Sequence, residues 1–234
     1  MENYCKYEGV KLMKYIQQKI AVLGITILFG ATPTLVYANT PNDQTSFQVS
    51  YQQGVQKLEQ GDFRAAIADF DKVVQQNPKF YEGFCLRGLA KSQIGDLSAA
   101  ITDFNQALKL NPNHIDAYNS RGTVYAQMGN LPKAIADFNS TIKIDPQSVD
   151  AYYNRGLAYF KQQNPQAAIA DFNQAISLNP NLADAYGNRG LAKYALGDQR
   201  NAIADLQQAA TLFRQQGDTV NYQQTQNLIQ QVQP

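Results

Sequence analysis

Apolar positions along most of this chain recur with a helical spacing and are broken at regular intervals. One apolar-periodic stretch runs from Ile115 to Met128, then come Gly129 and Asn130, and a second stretch runs from Leu131 to Ile144. A period near 3.6 over such lengths predicts two amphipathic helices joined by a tight turn. Gly suits the left-handed conformation just past a helix end, and Asn or Asp after it suits the next N-cap. The same punctuation recurs as Gly61-Asp62, Gly95-Asp96 and Gly197-Asp198. Gln163-Asn164 departs from it, with Pro165 at a first helical position, where Pro is tolerated.

The pattern has a fixed step. Gly54, Gly88, Gly122, Gly156 and Gly190 lie 34 residues apart, as do Ala66, Ala100, Ala134, Ala168 and Ala202. Pro78, Pro112, Pro146 and Pro180 keep the same step, each after Asn or Asp. The residue before Pro is pushed out of the α region, so the second helix of each unit ends there. A period in this range predicts stacked helix pairs, each burying its apolar face on its neighbours. With each Pro at position 32, the units are 47–80, 81–114, 115–148, 149–182 and 183–216. Gly at position 8 and Ala at position 20 predict a close helix crossing. Phe70, Phe104, Phe138 and Phe172, with Leu206 in the last unit, would fill the space beside it.

These residues resemble the tetratricopeptide repeat (TPR) pattern of W-x2-L-G-x2-Y, then A-x3-F, then P. In the third unit Tyr118, Arg121, Gly122, Tyr125, Ala134, Phe138 and Pro146 stand at those places. The resemblance covers residues 47 to 214. It implies an all-α fold, a right-handed superhelical solenoid of five helix-turn-helix repeats. Residues 217–234, opened by Gly217-Asp218, are expected to add a C-terminal capping helix. Val220, Leu228, Ile229 and Val232 would be its apolar stripe. The Leu place of the pattern departs, with Gln53 and then Arg87, Arg121, Arg155 and Arg189. A charge at an inward position needs a partner. Asp69, Asp103, Asp137, Asp171 and Asp205 keep the same step, so Arg–Asp pairs across neighbouring helices are expected, within a unit or between adjacent ones.

The first 38 residues follow other rules. Lys14 and Lys19 precede an uncharged apolar run from Ile20 to Phe29, and Val36-Tyr37-Ala38 offers a small-residue cleavage site. That order is expected of a secretory signal peptide, with translation starting at Met13 and a short polar linker over 39–46. The alternative is an uncleaved anchor over residues 20–38, just long enough to span a bilayer. Residues 1–38 take four of the 20 Lys and Arg and two of the 19 Asp and Glu, so the remainder carries a net charge of −1. No basic block survives, which argues against a nucleic-acid partner. Cys85 is the one Cys left, and is read as a small apolar residue, with intermolecular pairing as the alternative. His114 is the only His and sits in a turn. No phosphate loop, nucleophile elbow or zinc motif is visible, so no catalytic residue, metal or cofactor is expected.

The expected function follows from the resemblance. It implies an exported, non-enzymatic adaptor or scaffold that binds a protein or peptide partner along its concave face. The expected compartment is the periplasm or thylakoid lumen of a Gram-negative-type bacterium. An assembly or stabilising factor for a membrane or cell-envelope complex is the alternative, and an enzyme the least favoured. Family register lines that face with first-helix positions 2, 5, 6, 9, 12 and 13. Asn119, Asn154 and Asn188 there would hold an extended backbone, because an Asn amide both donates and accepts. Tyr51, Tyr153, Phe160 and Tyr194 would add aromatic anchors. Glu82, Asp116, Asp150 and Asp184 at position 2 argue against the family's clamp for a C-terminal carboxylate and for a neutral or basic segment. They would also favour the helix dipole.

Overall fold

Each repeat begins and ends where its turn residues say it must. A computed structural model of the chain describes residues 42–233, and its described residues form eleven helices and no strand. These are α1 (Asn42–Glu59), α2 (Phe63–Gln76), α3 (Tyr81–Gln93), α4 (Leu97–Leu110), α5 (Ile115–Gln127), α6 (Leu131–Ile144), α7 (Val149–Lys161), α8 (Pro165–Leu178), α9 (Ala183–Ala195), α10 (Gln199–Gln215) and α11 (Thr219–Val232). The expected signal segment, its alternative as an anchor and the start at Met13 lie outside the described residues. Helix α1 starts at Asn42, so residues 42–46, expected as linker, are helical. None of the described helices is long and apolar enough to cross a membrane.

Turn chemistry sets the pairs. Gly61, Gly95, Gly129, Gly197 and Gly217 take φ of +73° to +83°. Asp62, Asp96, Asn130, Asn164, Asp198 and Asp218 each accept the N–H three residues on. Gln163, where other repeats have Gly, holds φ at 61°, a conformation that costs an L residue roughly 1–2 kcal/mol. The residue before each Pro does more than stop a helix. Asn77, Asp145 and Asn179 accept the N–H two residues on, at 3.3, 3.0 and 3.1 Å. Such Asx turns mimic a backbone turn and aim the chain into the next repeat.

The chain divides into two compact units at Asn111 and Pro112. In the first, α1 packs on α2, α2 on α3, and α3 on α4, while α1 also meets α3. Its core holds Tyr51, Val55, Leu58, Phe70, Val73 and Leu86. In the second, α5 to α11 pack each on the next, and α5, α7 and α9 meet as alternate neighbours. So the first helices of repeats three to five lie side by side. Helix α11 closes this unit by burying Ile229 and Val232 against Leu206 and Ala210 of α10. Val220 is not part of that stripe. It is 58 % exposed, and Tyr222, two residues on, packs in its stead.

Helix crossings depend on the repeated Gly. A Cβ on Gly122 would sit 2.8 Å from the Phe138 ring, and one on Gly156 2.8 Å from the Phe172 ring. Phe70, Phe104, Phe138 and Phe172 are at most 1 % exposed. Each contributes roughly 1.5–3 kcal/mol by burial.

The Arg column is paired throughout. Nε and Nη2 of Arg87, Arg121, Arg155 and Arg189 grip both oxygens of Asp103, Asp137, Asp171 and Asp205 at 2.6–2.9 Å. Each pair is internal to one repeat. Nη1 reaches back to the preceding repeat, from Arg87 to Asp71 at 2.7 Å, Arg155 to Asn139 at 2.5 Å and Arg189 to Asn173 at 2.7 Å. Lys91 and Lys193 add a second cation to Asp103 and Asp205. Every guanidinium also lies over the aromatic three residues before it, Phe84, Tyr118, Tyr152 or Tyr186, at 5.2–5.6 Å. That explains why an aromatic ring serves where the family pattern has Trp. Desolvation opposes the charge of Arg87 and Arg121, yet the carboxylate bonds overcome it and raise both pKa values. For Arg155 the Asp171 bond is the largest influence, and the shift is again upward. Repeat one has no such Arg, and Lys57 and Lys72 bind Asp69 in its place. Burial would raise the Asp69 pKa, but these two ammonium groups lower it.

Candidate functional site

The expected binding residues do not share one environment. Tyr51 belongs to the first unit and is 7 % exposed. Its ring packs edge-on against Phe70 and Phe80, at 6.4 and 5.5 Å. Burial is the main cause of a strongly raised hydroxyl pKa, with the Glu82 charge second. Tyr51 is therefore a core residue of its unit and not an exposed anchor. The other six residues lie on α5, α7 and α9 of the second unit.

Register explains their common face. Position 2 of a helix lies one turn from positions 5 and 6. Asp116 therefore stands beside Asn119 on α5, Asp150 beside Tyr153 and Asn154 on α7, and Asp184 beside Asn188 on α9. Positions 12 of α7 and α9 add Phe160 and Tyr194 further along. Because α5, α7 and α9 are neighbours, these positions form columns across three repeats.

The three amides differ in what they hold. Asn188 Nδ2 donates to the Tyr153 hydroxyl at 3.1 Å and to the Asp184 carbonyl at 2.9 Å. Both its N–H groups are used inside the unit, which leaves Oδ1 as an acceptor. Asn154 is 6 % exposed. Asn119 Oδ1 is buried and has no hydrogen-bond partner. A buried amide left unpaired costs roughly 1–3 kcal/mol. Peptide N–H and C=O groups are what these atoms could pair with.

The aromatic members grade from core to surface. Tyr153 is 9 % exposed and packs on Phe172 at 5.9 Å between ring centroids. Its hydroxyl is the part that meets Asn188. Phe160 is half-buried against the same core. Tyr194 is 45 % exposed and is the one expected anchor that stands well into solvent. The Tyr153–Asn188 bond, between positions 5 and 6 of adjacent repeats, was not legible from the pattern. The signal for it was present in a 35-residue spacing, one more than the repeat.

Elsewhere, Cys85 is 1 % exposed within the first unit. His114 is 5 % exposed and its Nδ1 lies 3.9 Å from Asp116 Oδ2. Among the described residues no group of three or more His, Cys, Asp and Glu could hold a metal ion.

Comparisons with known proteins bear on the family and on the fold. Family models described as tetratricopeptide repeat match residues 48–79, 149–182 and 183–216, and one described as TPR repeat matches 88–129 and 122–163. No curated protein matches the chain. A solved structure of MamA, residues 41 to the end, from Desulfovibrio magneticus RS-1 is similar at 23 % identity, with a TM-score of 0.69 over 73 % of this chain and 97 % of that one. TTC0263, a thermophilic TPR protein in Thermus thermophilus, aligns at 19 % identity with a TM-score of 0.62, over 76 % and 98 % of the two chains. YrrB, described as a TPR protein with an unusual peptide-binding site, aligns at 15 % identity with a TM-score of 0.64, over 80 % and 98 %. At these identities the likeness speaks for the fold alone.

Proposed function

Because this chain belongs to the tetratricopeptide repeat family, we propose that it is a protein-binding scaffold that holds an extended partner segment across α5, α7 and α9. The carrying observation is the buried Oδ1 of Asn119, which has no hydrogen-bond partner, on one face of three adjacent helices that also carries Asn154 and Asn188. An extended backbone presents alternating N–H and C=O groups, so one strand could serve all three Asn side chains. Tyr194 would lie on an apolar side chain of the same segment, with Phe160 beneath it. YrrB, whose description includes a peptide-binding site, supports this use of the fold by likeness only.

A double replacement tests the reading. Asn154→Ala with Asn188→Ala is expected to leave the helical circular dichroism signal in place. Partner recovered on the immobilised full chain should fall at least about tenfold, since several hydrogen bonds of about 0.5–1.5 kcal/mol each would be lost. Unchanged recovery would remove these amides from the mechanism.

We propose further that the scaffold works outside the cytoplasm, in the periplasm or a thylakoid lumen. The support is the order of Lys14 and Lys19, the apolar run from Ile20 and the Val36-Tyr37-Ala38 site. The intact mass of protein recovered from an exporting host should correspond to a chain beginning at Asn39. A mass retaining residues 20–38 would favour the anchored form.

A further inference from the structure

We propose that the two ends of the amide row accept two backbone N–H groups of the extended partner segment, and that Tyr153 is the positioning residue that gives the row this polarity. This rests on the scaffold reading above and states which groups of the segment are recognised. Asn188 carries the argument. Its Nδ2 donates to the Asp184 carbonyl at 2.9 Å and to the Tyr153 hydroxyl at 3.1 Å. A backbone carbonyl can only accept, so the amide atom that faces Asp184 is the nitrogen. That carbonyl lies four residues back on α9 itself, while the hydroxyl comes from α7 of the repeat before. The amide is thus held from two helices, and both its N–H groups are spent. Oδ1 is what it has left for a ligand, and a carbonyl oxygen takes donors alone. Asn188 is half-buried, at the edge of the face.

Asn119 has the same need two repeats away. Its Oδ1 is buried and has no hydrogen-bond partner. It stands at position 5 of α5, as Tyr153 does on α7, and the 35-residue step from Tyr153 to Asn188 is also the step from Asn119 to Asn154. Tyr153 reaches its position-6 neighbour through a phenol. Asn119 is shorter by a ring, and its oxygen stays unmet. The two acceptors therefore lie on α5 and α9, with α7 between them. Packed helices are about 8–10 Å apart, which puts them about 16–20 Å from each other. An extended chain rises about 3.3 Å per residue and turns its N–H groups to alternate edges. Groups on one edge are an even number of residues apart, and six residues span about 20 Å. The recognised segment accordingly turns the N–H groups of residues i and i+6 into the row. Neither residue can be Pro, which has no such group.

The test selects random dodecapeptides displayed on phage against the immobilised full chain, and the best binder is then synthesised with a fluorescent label. Each of its backbone N–H groups is replaced in turn by an ester oxygen, which removes the donor and keeps the shape. Fluorescence anisotropy should show two sensitive positions, six residues apart, each costing about two- to tenfold in affinity, the worth of one hydrogen bond. Tyr153→Phe keeps the ring and its packing on Phe172 and removes the hydroxyl. It should retain the helical circular dichroism signal and abolish the sensitivity at one of the two positions. Asn119→Ala should abolish it at the other. A merely structural role for Tyr153 would weaken every ester peptide alike and leave both positions sensitive. No ester-sensitive pair at this spacing, unchanged sensitivity in Tyr153→Phe, or selection of no binding peptide would overturn the proposal. The scaffold reading is decided separately: it stands if the Asn154→Ala, Asn188→Ala chain still loses its captured partner, and falls if it does not.

Discussion

Phe172→Ala is expected to lower the stability of the second unit by about 3–5 kcal/mol, the cost of removing a fully buried ring. The ring is 0 % exposed and fills the crossing of α7 and α8. On one side it meets the place where a Gly156 Cβ would be, at 2.8 Å, and on another the Tyr153 ring. Neither neighbour can collapse into the space. The glycine has no side chain to move, and Tyr153 is tethered through its hydroxyl to Asn188. Urea unfolding followed by circular dichroism would read the loss as a lower midpoint. Phe172→Leu should cost much less, because Leu206 already fills the equivalent place beside Gly190. A drop below about 1 kcal/mol for the Ala variant would show that the crossing relaxes, against the close contact described.

Arg155→Ala should cost about 3 kcal/mol, the lower end for breaking a buried pair, since Arg155 keeps a partly solvated edge. The loss has two parts. Asp171, only 5 % exposed, would be left charged and without its bidentate partner. The contacts to Asn139 and to the Tyr152 ring would go with it. Replacing both Arg155 and Asp171 by Ala should recover much of the first part, because no buried charge then remains. A double-mutant cycle from chemical denaturation measures this. Additive losses would mean the two groups do not interact in solution.

The repeat made much of this legible. A 34-residue step fixes which residues face one another, so Gly at the crossing, Phe beside it and the Arg–Asp rows followed from spacing alone. What spacing hides is depth. Tyr51 and Tyr153 both stand at position 5 and both are buried, Tyr51 beneath Phe80 and Phe47 and Tyr153 against Phe172. Tyr194, with the same pattern support, remains in solvent. Ends were harder to read for a related reason. No neighbouring repeat imposes its register there, so α1 starts early and α11 turns Tyr222, not Val220, to the core. The reach of Arg87, Arg155 and Arg189 to the preceding repeat also went unforeseen. Its acceptor position holds Asp71 in the first repeat but Asn139 and Asn173 later, so it shows no constant charge.

That backward reach gives the fold a rule for growth. Arg155 and Arg189 make the same two attachments, one within their own repeat and one to the repeat before. Arg87 does so in the first unit. A tandem duplication of 34 residues would therefore bring its own fastener and find a ready acceptor. A gain or loss of 33 or 35 would turn the Arg away from both. Helix α11 carries no Arg, so the ladder stops there. Length in such a chain can change in whole repeats by unequal recombination, with no new interface to invent.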